Sequence, residues 1–249
     1  MGRLNNLPPG LPAAPELLLP QSIWQLRGSL NLFSSPHGPG LATQAWAGRR
    51  LQLLSEVPQA GRLAVQLQED GYRGWIRADD LLGRAISSTA QPPLQLDCNS
   101  IAARLSAVIQ FALLAAEQPN NYLWGGSIGP DFDCSGLIQR AFASTGVWIP
   151  RDAYQQERFC LPVGIGNGCL NLLQPGDLIF FGTAQRCTHV GLHLGAGRYL
   201  HSSGASHGRN GIGNDGLGPA DQHPVACHYR RELRGAGRVQ RCHDGSHLP

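Results

Sequence analysis

At 249 residues with a net charge of +3 and only 15% charged residues, the chain can hold one large or two modest domains. Its Lys and Arg are scattered, which excludes the basic stripe of a nucleic-acid or anionic-membrane binder. Its 32 glycines and 18 prolines, in a chain that is 42% hydrophobic, point to a compact, turn-rich protein and exclude a disordered or fibrous one.

In chain order, residues 1–20 read as a proline-rich leader, extended on the surface or disordered. Pro8, Pro9, Pro12, Pro15, Pro20 and Glu16 interrupt each apolar run that could serve as a secretory signal, so a cytoplasmic protein is expected. The seven cysteines agree: the number is odd, no pair has Cys-x-x-Cys spacing, and reduced thiols are expected. Cys160 and Cys169 are near enough in sequence to approach one another. Residues 21–83 hold short alternating runs broken by turn residues, among them Leu30–Phe33, Leu51–Leu54, Leu63–Gln68 and Gly71–Ile76, and this spacing predicts a small β-barrel. Residues 84–98, with Ser87, Ser88, Thr89, Pro92 and Pro93, read as a linker.

A second domain is expected over 99–235. Asn99 and Ser100 are candidate N-caps, and Ile101, Leu105, Val108, Ile109, Ala112, Leu113 and Ala116 share one helical face until Pro119. The apolar run Ala102–Ala116 is too short to span a bilayer and carries Arg104, Ser106 and Gln110, so no membrane association is expected. Asp131–Gly136 then reads as a loop that delivers Cys134 to the first turn of a helix, where free N–H groups and the helix dipole would lower a thiol pKa. After the turn Pro175-Gly176-Asp177 come three predicted strands: 178–181, 189–194 and 198–202. Helices followed by antiparallel strands make an α+β domain. Residues 208–213 read as a loop and 236–249 as a polar tail.

A thiolate nucleophile needs a base, and the base needs a group that fixes its tautomer. His189 and His201 lie on consecutive predicted strands, and parity tests whether they meet. A two-residue turn at Ala196-Gly197 gives an odd register sum and opposite faces. A three-residue loop, Gly195–Gly197 with a left-handed Gly197, gives an even sum and sets His201 opposite Gly191, diagonal to His189. His193 shares the face of His189 and reads as a packed or partly exposed side chain. The spacing of Cys227-His228 and Cys242-His243 matches no standard zinc pattern, so no metal is expected.

The motifs Tyr122-x-Trp124-Gly-Gly, Asp133-Cys134-Ser135-Gly136-Leu-Ile, Pro175-Gly176-Asp177-Leu-Ile-Phe-Phe, His189-Val-Gly-Leu-His193-Leu-Gly and His201-Ser-Ser occur in one order. Over roughly residues 100–235 this resembles the NlpC-type cell-wall peptidases, cysteine peptidases of the papain-like group. The segment before it, with Gly74-Trp75-Ile76, resembles the bacterial SH3-like barrels that accompany them. The resemblance implies an α+β, papain-like domain of helices on an antiparallel sheet, behind a small SH3-like β-barrel. It assigns Cys134 as nucleophile, His189 as base, His201 as the orienting residue and Tyr122 as support for the oxyanion.

The likeness is greatest to γ-D-glutamyl-L-diamino acid endopeptidases of murein peptide recycling. It implies a murein peptide substrate, L-Ala-γ-D-Glu-diaminopimelate, and no cofactor. Tyr72 and Asp133 would meet the free α-ammonium of the substrate, with Ser135 and Arg151 as further contacts, Arg151 for a substrate carboxylate. Two alternatives stand beside it: a cell-wall peptide binding module with an idle peptidase domain, and a hydrolase of intact peptidoglycan.

Overall fold

A computed structural model describes residues 7–55, 57–166 and 170–248, so whether Cys160 approaches Cys169 lies outside the described residues. The chain divides into two compact units, 1–93 with 243–249, and 94–242.

In the first unit the alternating runs become strands: β1 (Ile23–Leu26), β2 (Leu30–Phe33), β3 (Leu41–Ala45), β4 (Arg50–Leu53), β5 (Arg62–Leu67), β6 (Arg73–Arg77), a one-turn helix α1 (Ala78–Leu81) and β7 (Ala85–Ser88). They pair antiparallel in the order β3-β2-β6-β5-β4-β1-β7. Period-two alternation explains the core: Leu51 and Leu53, Leu63, Val65 and Leu67 point inward onto Trp24, Leu26 and Ile76. The expected linker begins later than 84, because 85–88 complete the sheet as β7. Nor is the leader simply a surface strand. Gly10 N and Ala13 N donate to Ser87 O and Ala85 O, at 2.8 and 3.0 Å, and Ser87 N donates to Leu11 O at 2.8 Å. Pro12 falls between the donors Gly10 and Ala13, and Pro8, Pro9 and Pro15 lie outside them, so no proline occupies a donating position.

Arg49 is buried between Glu69 (3.0 Å) and Asp70 (2.8 Å). Removing one member of such a cluster strands the remaining charge out of water. Arg49→Met is therefore expected to lower the stability of this unit by about 3 kcal/mol in urea unfolding followed by Trp fluorescence.

The second unit contains α2 (Cys98–Ala102), α3 (Leu105–Glu117), α4 (Cys134–Ala143), α5 (Ala153–Phe159), β8 (Leu161–Val163), β9 (Leu178–Gly182), β10 (Cys187–Gly195), β11 (Arg198–Ser203), β12 (Gly211–Gly216), α6 (Pro224–Arg231) and β13 (Leu233–Arg238). The cap of α2 is Asp97, whose carboxylate accepts from Ser100 N at 2.7 Å; Asn99 and Ser100, the expected caps, lie inside the helix. The helical run Cys98–Glu117 is 20 residues long with mean hydropathy 1.4, enough by length and composition alone to cross a membrane; Ile101, Val108 and Ala112 are its core-facing residues.

Six antiparallel strands follow the order β12-β11-β10-β9-β13-β8. Successive side chains of β9 serve two cores. Leu178 and Phe180 pack with Leu137, Ile138, Phe142, Val190 and Leu192; Ile179 and Phe181 pack with Tyr199, Val225 and Tyr229. The expected polar tail starts too early at 236, since β13 runs to Arg238 and pairs with both β9 and β8. Residues 211–213, expected to be loop, are strand β12.

Candidate active site

The stretch before α4 folds as a capped helix start. Asp133 is extended (φ −85°, ψ 177°), and its Oδ1 accepts from Gly136 N at 2.7 Å. Its Oδ2 accepts from Gly125 N at 2.8 Å. Gly136 has to be glycine because a Cβ there would collide with the carbonyl oxygen of Gly126. Arg151, 1% exposed, completes the cluster: Nη1 donates to Asp133 Oδ1 (3.1 Å) and to Ser135 Oγ (2.9 Å), Nη2 to Asp133 Oδ2 (2.7 Å). Asp133, Ser135 and Arg151 are thus brought together, but as partners of one another. The charge that a substrate ammonium would seek on Asp133 is met by Arg151, and the guanidinium that a substrate carboxylate would seek is met by Asp133. What this cluster does directly is hold the first turn of α4.

Cys134 is the first residue of that helix and is buried, with the backbone N–H groups of Ser135 and Val190 directed at its sulfur. Val190 follows His189 on β10, so the thiol is seated on the strand that carries the expected base. Burial pushes the Cys134 thiol up to about 12, with Asp133 adding to the effect, which reverses the sequence expectation of a lowered value. Burial likewise drives the His189 imidazole well below 6.5, helped by His201, His207 and His228. Neither group ionises alone in this setting. Burial opposes the charged form of each group taken singly.

The histidines meet, through a turn the parity argument excluded. Leu192 pairs with Leu200 and His193 with Tyr199, the even register expected for His201 beside Gly191. The turn itself is nevertheless the two-residue Ala196-Gly197, both at positive φ (48° and 70°), with Gly195 paired to Arg198. A bulge between His193 and Gly195 supplies the missing residue and restores even parity. His193 is buried and hydrogen-bonded to Gln174 O at 2.9 Å, the packed residue it was read as.

His189 Nε2 and His201 Nδ1 lie 2.7 Å apart, and His201 Nε2 lies 2.6 Å from Asp215 Oδ2. The tautomers follow from the end of this chain. Asp215 is held below the usual carboxylate range: burial raises it, but the hydrogen bond from His201 and the charges of His201 and Arg209 outweigh burial. An ionised Asp215 accepts a proton from His201 Nε2, leaving Nδ1 to accept from His189 Nε2. His189 Nδ1 is then the unprotonated nitrogen, free to act as a base. Tyr229 stacks on His189 with ring centroids 4.1 Å apart and meets His201 edge-on, and its hydroxyl is 2.8 Å from Ser203 Oγ.

Sequence reading missed Asp215, Arg209 and Tyr229. Parity could have found the first, because β11 and β12 pair with an even sum (Tyr199↔Asp215, His201↔Gly213), putting Asp215 diagonal to His201. The glycines at 211, 213 and 216 hid the strand. Tyr122 is half-buried beside Gly204. Burial raises its pKa, with Cys134 and Asp133 adding to the effect, so its hydroxyl stays a donor. Tyr72 belongs to the first unit, half-buried on its core, its N–H donating to Asp70 at 3.2 Å. Among the described residues no group of three His, Cys, Asp or Glu side chains is placed to hold a metal ion.

A buried cysteine at a helix start and a histidine relay on the antiparallel sheet thus lie in one α+β domain. Residues 119–220 match the model of the NlpC/P60 family, and residues 32–81 match that of the bacterial dipeptidyl-peptidase Sh3 domain. The chain therefore carries an NlpC/P60 domain preceded by a bacterial SH3 domain. Similar proteins include a gamma-D-glutamyl-L-lysine dipeptidyl-peptidase of Bacillus subtilis, 42% identical over 32% of this chain and 27% of that one. A protein of the same name from Bacillus cereus is 32% identical over 69% of this chain and 46% of that one. The chain thus spans between about a quarter and a half of these relatives. Among solved structures, an NlpC/P60 family protein from Bacillus cereus aligns with a TM-score of 0.45 and 25% identity, over 88% of this chain and 64% of that one.

Proposed function

We propose that the protein is a cysteine peptidase that hydrolyses the γ-D-glutamyl–L-diamino acid amide bond of murein peptides carrying a free N-terminal L-alanine. The observation that carries the hydrolase reading is the relay from His189 through His201 to Asp215, which leaves His189 Nδ1 as a base on the strand where Cys134 is seated. In this reading Cys134 gives its proton to His189 and attacks the γ-carbonyl. The N–H groups at the start of α4 and the Tyr122 hydroxyl stabilise the oxyanion, and the His189 imidazolium protonates the leaving amine. Water then adds to the thioester with the same histidine as base. The bond and the free amino end are supported by the two relatives named gamma-D-glutamyl-L-lysine dipeptidyl-peptidase, an activity that removes a dipeptide from an open N-terminus. A cytoplasmic location belongs to the same proposal, supported by the six described cysteines, all free thiols.

The test is to incubate the protein with L-Ala-γ-D-Glu-diaminopimelate and its N-acetyl counterpart and to follow products by mass spectrometry. The free peptide is expected to yield L-Ala-D-Glu and diaminopimelate, and the blocked one to stay intact. Cys134→Ala is expected to fold as the native chain does and cleave neither; turnover by this variant would sink the assignment. Release of peptides from intact peptidoglycan at a comparable rate would make the wall itself the substrate.

A further inference from the structure

The relay does not end at Asp215. Arg209 Nη2 donates to both carboxylate oxygens, at 2.7 Å to Oδ1 and 2.8 Å to Oδ2. It reaches them by lying flat across β12, where its guanidinium fills the space a Cβ on Gly213 would need. Gly213 is itself the residue paired with His201. The stretch from Gly208 to Gly213, too glycine-rich to read as a strand, therefore places a cation at one fixed point.

We propose that Arg209 is a positioning residue: its charge against Asp215 excludes an additional proton from the relay and so keeps His189 in the one tautomer that can act as base toward Cys134. The inference rests on the Cys134–His189 pair proposed above. Two sites could take the extra proton, and both have the same consequence. A protonated Asp215 could donate to His201 Nε2, which moves the His201 proton to Nδ1. A protonated His201 carries a proton on Nδ1 already. In either case His201 Nδ1–H points at His189 Nε2, the His189 proton must sit on Nδ1, and the base is gone. A positive charge in contact with Asp215 opposes both events. Burial lowers His201 most, Asp215 opposes that, and Arg209 lowers it further.

The other titratable groups around the relay are Cys134 on α4, His189 on β10, Tyr199 on β11, Asp221 before α6, and Tyr229, His228 and Glu232 in and after α6. His207 precedes β12, and His223 lies 3.8 Å from Asp215. All of these stay in place in the variants below, so they contribute equally to each profile. Arg209 also borders an open cleft of about 560 Å³, lined with it by Arg198, Asn214, Asp215, Asp221 and His223. Solvent can therefore hydrate the site when the guanidinium is removed, and a folded variant is expected.

The experiment follows the rate at which iodoacetamide alkylates Cys134, read by peptide mass spectrometry, against pH in the full chain and in Arg209→Met, Arg209→Lys and Gly213→Ala. Loss of a contacting charge typically moves a pKa by one to three units. In Arg209→Met the acid limb of the profile is expected to rise by about one pH unit, about a tenfold lower rate at a pH on the limb. Gly213→Ala, which displaces the guanidinium, is expected to move it the same way, and Arg209→Lys to bring it back close to the native position. A limb in Arg209→Met that coincides with the native one would overturn the proposal, as would a limb in Arg209→Lys shifted as far as in the methionine variant. Should Arg209→Met fail a thermal-unfolding control, Gly213→Ala decides. A native chain with no acid limb below the range of a free thiol would refute the Cys134–His189 pair, and the role of Arg209 with it.

Discussion

Asp215→Asn is expected to leave the fold intact and to lower turnover about 10³-fold, somewhat less than the roughly 10⁴-fold cost when the carboxylate touches the catalytic base directly. The carboxylate serves two donors: His201 Nε2 at 2.6 Å and Arg209 Nη2 at 2.7 and 2.8 Å. An amide cannot serve both. With its nitrogen toward His201 it donates to Nε2 and reverses the relay. With its nitrogen in the Oδ1 position a donor faces the Arg209 donor. Residual activity in this variant is expected to rise steadily with pH, because the thiol, pushed up to about 12 by burial, must then ionise without help from His189. A pH–rate profile of the same height and shape as the native one would show that Asp215 does not set the tautomer.

Arg151→Met is expected to destabilise the second unit by about 3–5 kcal/mol, the usual cost of stranding a buried charge. Asp133 would lose two charge-assisted hydrogen bonds (3.1 and 2.7 Å) and Ser135 Oγ one (2.9 Å). The loss falls on the first turn of α4, so Cys134 reactivity toward iodoacetamide should fall together with the urea midpoint. A variant that keeps native stability but binds peptide poorly would restore Arg151 to the substrate-contact role expected from sequence.

Strand alternation made much of this fold legible. Leu63, Val65 and Leu67 face inward as their period requires, and the helix at Cys134 starts where the Asp-Cys-Ser-Gly stretch placed it. The even register of the histidines was anticipated by a different route, a three-residue loop; the structure reaches it through a two-residue turn and a bulge between His193 and Gly195 that the sequence does not announce. Other features depended on partners far apart in the chain. Arg151 finds Asp133 across 18 residues, and Gly10 finds Ser87 across the whole first sheet. Burial was equally hidden, and it reversed the expected direction for the Cys134 thiol: a helix start favours a thiolate, but removal from water opposes it more strongly. Asp215 escaped notice because a strand made half of glycine has little strand character in its composition.

The bulge between His193 and Gly195 makes the length of a surface hairpin a condition for the contact between His189 and His201. Most tight turns at a sheet end accept the gain or loss of a residue, since only the loop adjusts. Here such a change would slide β11 by one position against β10 and turn the His201 ring away from His189, with Asp215 following on the next strand. The sheet could still form and the core could still close. Among homologous chains, this hairpin is therefore a place where one inserted or deleted codon would separate a chain with the histidine relay intact from a well-folded relative that has lost it.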